Sequence, residues 1–333
     1  MNYIIRLSCV IFFTFLASDI FAQEEDLLPN KQGVFKVVDW GVHRASGSDF
    51  TKIETAANYK KLVALTEIIH KNPVMNSPMG FECRATLYSS SYDRRDCFGI
   101  PCDLSFQFCY FYKDQKTGKE LTATIEPPSW KIKVNMLPKF NSNIFSQATP
   151  KPVGEQTKPG FNYEKWNKVG EKLHNIYNIP KKETIARGID RYEKETVVIY
   201  NPDRPPFWMP ITIRELFTLA LDYYKLHWDQ AQSDVWVNLI EADYNMFSEK
   251  ERDMHAYRNT IQGIARGSFG YCTDSTQSQV VRLNPEYWNK KLPRSAIQII
   301  SFSLLDDKNF YGNRYIKKFL EALDIKSLSP IID

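Results

Sequence analysis

The sequence predicts an α+β protein: antiparallel sheets with packed helices, dividing into as many as two lobes, the C-terminal half more helical. Three observations carry this reading. Gly80–Tyr88 and Leu104–Tyr112 alternate with period two, which lays one side of each strand on a core. Helical spacing and capping signals recur elsewhere, most clearly at Thr212-Ile-Arg-Glu215. The composition, 43% hydrophobic and 25% charged over 333 residues, is that of a globular chain with a sizeable core.

The elements follow in order. Phe35–Trp40 reads as a short strand. Ser48 and Asp49 offer caps to a helix running to about His70, with Leu62, Leu65 and Ile69 on one face, and Asn72-Pro73 stops it. In Gly80–Tyr88, Phe81, Cys83, Ala85 and Leu87 form the apolar set; in Leu104–Tyr112 it is Leu104, Phe106, Phe108 and Tyr110. Thr122–Ile125 and Trp130–Met136 give two further strands, parted by Pro127-Pro128. These place a helix on an antiparallel sheet over residues 23–140.

Residues 141–162 change character, being rich in Asn, Ser, Pro and Gly, and read as a linker or long loop. The second region, 163–333, opens with a helix from Tyr163 to about Tyr177 and strands at Thr184–Gly188 and Thr196–Tyr200. Thr212 and Glu215 form a capping box, with Ile211 and Leu216 placed as its hydrophobic staple. Leu216, Ala220, Tyr223 and His227 share one face of that helix, and the pattern continues through Trp236, Leu239 and Ile240 to Phe247. Ser248-Glu-Lys-Glu251 is a second capping box. Strands at Gln279–Leu283 and Ser295–Phe302 and a helix at Tyr315–Leu323 complete the chain. One echo stands out: Ile185-Ala-Arg-Gly188 precedes an Asn201-Pro202 strand end, and Ile264-Ala-Arg-Gly267 precedes Asn284-Pro285.

Met1–Ala22 has the form of a secretory signal peptide. Arg6 lies in a short charged region, Leu7–Ala17 is apolar, and Ala22 is a small residue suited to cleavage. The mature chain is therefore expected to start near Gln23 and to be exported, to a periplasm or the extracellular space, without stable membrane insertion. The net charge of +4 is weak, and no long basic block marks a nucleic-acid partner. Five cysteines follow the leader. An exported compartment permits disulfides, and Cys97 and Cys102 flank a loop bent by Gly99 and Pro101, so they are the expected pair. Cys83 and Cys109 offer a second bridge if their strands are neighbours.

No zincin, nucleophile-elbow or phosphate-loop motif is present, and the five histidines show no metal-ligand spacing, so neither metal nor cofactor is expected. The aromatics are abundant, with 21 Phe, 18 Tyr and 7 Trp, enough to fill a core or line a cleft. The candidate binding surface is the stretch Asn201–Pro210. Its four prolines brace Arg204, Phe207 and Trp208, and Tyr287 and Trp288 hold the matching place in the echoed segment. His227, with acidic neighbours, is a candidate base or a core residue. The combined reading is an exported protein that binds a small molecule, a glycan or an envelope protein. An extracytoplasmic hydrolase acting on peptide or glycan is the alternative, its catalytic carboxylates unassigned among the many acidic residues.

Overall fold

The computed structural model describes residues 26–39, 50–89, 98–136, 138, 140, 144–145, 158–180, 182–192, 196–259, 267–304 and 313–333. The leader, Cys97 and most of residues 141–162 lie outside them. In chain order the elements begin with β1 (Phe35–Asp39), α1 (Lys52–His70), α2 (Pro73–Asn76), β2 (Phe81–Ser89), β3 (Cys102–Lys113), β4 (Glu120–Thr122) and β5 (Ser129–Val134). Next come α3 (Tyr163–His174), β6 (Ile176–Ile179), β7 (Lys182–Ala186), β8 (Ile189–Tyr192), β9 (Thr196–Tyr200) and β10 (Trp208–Pro210). The chain ends with α4 (Ile213–Lys225), α5 (Gln230–Asn245), α6 (Glu249–Arg252), β11 (Tyr257–Arg258), β12 (Tyr271–Cys272), β13 (Ser278–Leu283), β14 (Ile299–Ser303) and α7 (Asn313–Glu321). The protein is α+β, and it forms two compact units that do not follow one cut along the chain. Residues 196–200 and 290–333 join the first 136 residues, while 137–195 and 201–289 make up the second unit.

The first unit is built on the strand order β1-β2-β3-β5-β14-β9, antiparallel throughout except for the parallel β1–β2 pair. One face is the core. Phe106 and Trp130 pack at 5.5 Å, and Phe319 of α7 meets Trp130 at 4.9 Å and Phe108 at 5.9 Å. Helix α1 adds Leu62, Leu65 and Ile69, all buried. Its N-cap is Thr51 rather than Ser48 or Asp49: the Thr51 side chain accepts from Glu54 N–H while Glu54 accepts from Thr51 N–H at 2.8 Å. The box satisfies two otherwise orphaned donors.

Over β2, β3 and β5 the opposite face of this sheet is largely polar, whereas at β14 and β9 it carries the buried Ile299 and Val198. Along the register, Tyr88, Asp103, Lys133 and Ser301 lie in one cross-strand row, and Thr86, Ser105 and Lys131 in the next. Arg84, Gln107 and Ser129 follow, with Lys36 opposite Arg84 and Glu82 opposite Cys109. Lys36 and Arg84 both bond Glu82, at 2.8 and 2.6 Å. Burial pushes the Glu82 carboxyl up, but the hydrogen bonds from Lys36 and Arg84 outweigh it and hold the group below the ordinary carboxylate value.

The register also settles the cysteines of this sheet. Cys83 pairs with Phe108 and Cys109 with Glu82, so the two thiols point to opposite faces and the second bridge is excluded by the pleat. No disulfide is formed among the described residues, and the expected Cys97–Cys102 link is not seen. Cys102 instead donates its thiol proton to Asn58 Oδ1 of α1 at 3.1 Å, tying helix to sheet.

In the second unit, β13 is the central strand, with β6 on one side and β10 and β11 on the other; β12 extends from β11. Helix α3 ends at His174, earlier than its apolar pattern suggests, because Ile176–Ile179 turns extended to pair with β13. The capping boxes at Thr212 and Ser248 both form. Within the residues read as linker, Phe145 is fully buried in this unit's core, 4.8 Å from Phe269 and 6.2 Å from Phe217.

Candidate functional site

The proline-braced stretch and its echo meet in the second unit. Each begins with the same Asn-Pro turn: Asn201 Oδ1 accepts from Asp203 N–H at 2.9 Å, and Asn284 Oδ1 accepts from Glu286 N–H at 3.0 Å. The two turns are then stitched together. Asn284 Nδ2 donates to Pro206 O at 2.7 Å, Asn284 N–H donates to Phe207 O, and Trp208 pairs with Leu283 in the β10–β13 ladder. Arg204 donates from Nε and Nη2 to Tyr287 O at 3.0 and 2.8 Å, so its guanidinium serves the carbonyl end of the Pro285–Tyr287 turn.

The rings follow the same logic. Phe207, Trp208, Tyr287 and Trp288 are all buried, Trp208 with 8% of its surface exposed. Trp208 sits 5.5 Å from Tyr177, 5.5 Å from Phe207 and 6.2 Å from Phe140, and Phe207 meets Tyr287 edge-on at 5.6 Å. The structure thus brings five of the six candidate residues together, as a packed seam rather than an open cleft. The Trp208 Nε1–H finds no acceptor among the described residues. Here prolines and rings rigidify a junction.

His227, the sixth, is elsewhere in the unit and is 1% exposed. Its Nδ1 accepts from Asp229 N–H at 3.1 Å, its ring stacks near Tyr224 and Trp228, and Trp166 meets it edge-on. Desolvation holds its pKa below the ordinary histidine value, against a smaller opposing pull from Asp229. A neutral, ring-packed imidazole bonded to backbone is a structural group. The deeply buried carboxylates are also engaged: Asp190 with Lys182 and Thr184, Asp243 with the N–H groups of Ser268 and Phe269.

No family model, curated protein or solved structure matches this chain. The chemistry of its surface must therefore be read from its own geometry.

The most unusual surface lies on α5. Asp229 caps it, accepting from Gln232 N–H at 3.1 Å. One side is anchored in the core. Ser233 Oγ donates to Tyr224 O, Trp236 stacks on Tyr224 at 4.8 Å, Tyr244 stacks on Phe217 at 5.6 Å, and Ile240 is fully buried. The far side is apolar too. Ala231, Val235, Leu239, Ala242 and Met246 are all exposed, and at 100° per residue they fall within an arc of about 80°. Val235 is 58% exposed, Leu239 39% and Met246 54%. The polar residues Asp234, Asn238, Glu241 and Asn245 line one flank, and Gln232 lies on the other. Leu239, read from sequence as part of the buried pattern, belongs to this outer stripe. A helix with two apolar faces hides the second one, because the buried positions alone satisfy the expected period; the clue available was that Val235, Leu239 and Ala242 exceed what one face requires.

Proposed function

We propose that the protein is an exported interaction protein whose contact surface is the outer stripe of α5. The observation that carries this reading is five exposed apolar side chains aligned over some 22 Å of helix. Isolated exposed apolar residues are ordinary, but a contiguous apolar stripe rimmed by polar groups is the form of a protein-contact site. The signal-peptide pattern of residues 1–22 supports export, and with it an envelope or extracellular partner.

Two measurements test it. N-terminal sequencing of the protein from its native host is expected to begin near Gln23, and an intact Met1 would remove the export half of the reading. A photo-crosslinking residue at position 239 is expected to yield a discrete protein adduct in the host that is absent when the probe sits at the exposed, polar Lys172. Equal labelling at both positions, or none at either, would refute α5 as the contact surface.

A further inference from the structure

The polar face of the first unit's sheet carries a second chemistry. Lys131 and Lys133 stand two residues apart on β5, both exposed on the same face, with their Cα atoms about 6.6 Å apart. Neither makes a side-chain hydrogen bond or ion pair among the described residues. Lys36 and Arg84 differ from them in being held by Glu82. Asp103 lies directly across from Lys133, with Tyr88 on its other side, yet no ion pair forms within 4 Å. Burial pushes the Asp103 carboxyl above the ordinary carboxylate value, against the pull of Lys133 and Lys131, and the same burial raises Tyr88. The accessible hydrogen-bonding groups around the two lysines are Ser129 on β5, Gln107 on β3 and Tyr88 on β2, while Ser105 and Thr86 between them are buried. The face therefore combines two cations that are unpaired among the described residues with neutral hydrogen-bonding groups.

We propose that this face, centred on Lys131 and Lys133, binds a linear acidic polysaccharide. The proposal rests on the export reading for where such a polymer would be met, and names its chemistry. Charge complementarity selects the anion: two ammonium groups with no ion pair among the described residues would each gain a charge-assisted hydrogen bond from a carboxylate or sulfate. The shape of the surface selects the polymer. A sheet face offers side chains and no free backbone donors, whereas extended peptides are taken up at sheet edges through main-chain hydrogen bonds. Single-stranded nucleic acid requires aromatic stacking platforms, and Tyr88 is the only aromatic among the rows named here. A polyol carrying one anionic group per ring matches the accessible serine, glutamine and tyrosine side chains around two lysines.

The test uses the mature full-length protein and four immobilised probes: polygalacturonate, dextran sulfate, neutral dextran and poly-glutamate, with a single-stranded oligodeoxynucleotide as a fifth. Binding is expected to one or both acidic polysaccharides and not to dextran. The double variant Lys131→Gln/Lys133→Gln should weaken it at least about tenfold with an unchanged melting temperature, since both side chains are exposed. Asp103→Asn should strengthen it, because the carboxylate opposite Lys133 repels the incoming anion. No binding to either acidic polysaccharide overturns the proposal, as does binding that the double variant leaves intact. Tighter binding to poly-glutamate or to the oligonucleotide would assign the face to a different polymer. Crosslinking at α5 does not depend on any of these outcomes, so the two readings fail separately.

Discussion

Replacing Trp208 with alanine tests whether the proline-braced seam is a structural junction. The ring is 8% exposed and touches Tyr177, Phe207 and Phe140. Deleting it removes most of a large buried side chain and leaves a cavity whose walls are held by the prolines on one side and by the β10–β13 ladder on the other. Relaxation into the gap is limited, so the cost should fall in the range of ~3–5 kcal/mol. For a cooperative unit of 150 residues or somewhat more this corresponds to a fall in melting temperature of roughly 10 °C. Trp208→Phe is the informative companion. It keeps an aromatic ring in the seam and removes an indole N–H that has no acceptor among the described residues, so its cost should stay below about 1.5 kcal/mol. Denaturant unfolding followed by far-UV circular dichroism reads both. If Trp208→Ala lost less than about 1 kcal/mol, the ring would not be holding the junction together, and the seam would not be a structural junction.

Other outcomes follow from single contacts. Gly267 has φ +73°, and a Cβ there would lie 2.2 Å from Asp243 Cγ, whose carboxylate is fixed by two backbone N–H groups. Gly267→Ala should therefore destabilise by more than about 1 kcal/mol in chemical denaturation. His227 has a folded-state pKa below its unfolded value, so the unfolded chain takes up the proton first and stability drops as pH falls through about 6.5. His227→Asn should flatten that part of the stability–pH curve, measured between about pH 7.5 and 5.5. Burial raises both the Cys83 and Cys109 thiols, so alkylation of the folded protein near pH 8 should leave both unmodified, and non-reducing peptide maps should show no link between them.

Local signals were the most legible. The capping boxes at Thr212 and Ser248 form as their spacing predicts, because each is a contact among residues three apart. The period-two stretches became β2 and β3 with the expected apolar face inward. The same signal, Thr51-x-x-Glu54, marked the true start of α1, but Ser48 and Asp49 stood earlier in the chain as competing caps. What stayed hidden depends on partners far away in sequence. Ile176–Ile179 is a strand because β13, about a hundred residues later, supplies its ladder; the pattern leading into it is helical. The candidate site was legible as an association and misleading as a surface. Two Asn-Pro segments with nearby tryptophans do come together, but rigid backbone and large rings serve a buried seam as well as they would serve a ligand. The polar face of the first sheet left its trace in the sequence as the alternate positions of β2, β3 and β5, set aside once the apolar positions had been assigned to the core.

The first sheet has a consequence for how the chain can be made. Strand β5 ends at Val134, and its second neighbour, β14, is not synthesised until residues 299–303; β9, the five-residue strand on the far side of β14, arrives in between. A chain emerging from its N-terminus therefore carries β5 as an open edge for more than 160 residues, through the whole of the second unit's synthesis. Such non-local closure slows folding and leaves an adhesive strand exposed. It also means that the chain cannot be divided into two expressible halves at the Pro- and Gly-rich stretch near residue 150: a fragment ending there would contain α1 and strands β1 to β5, yet would present Trp130 and Ile132 along an unfinished edge. The protein is one folding problem with its last step near the C-terminus, and any holding factor it meets during synthesis would have to act on that edge.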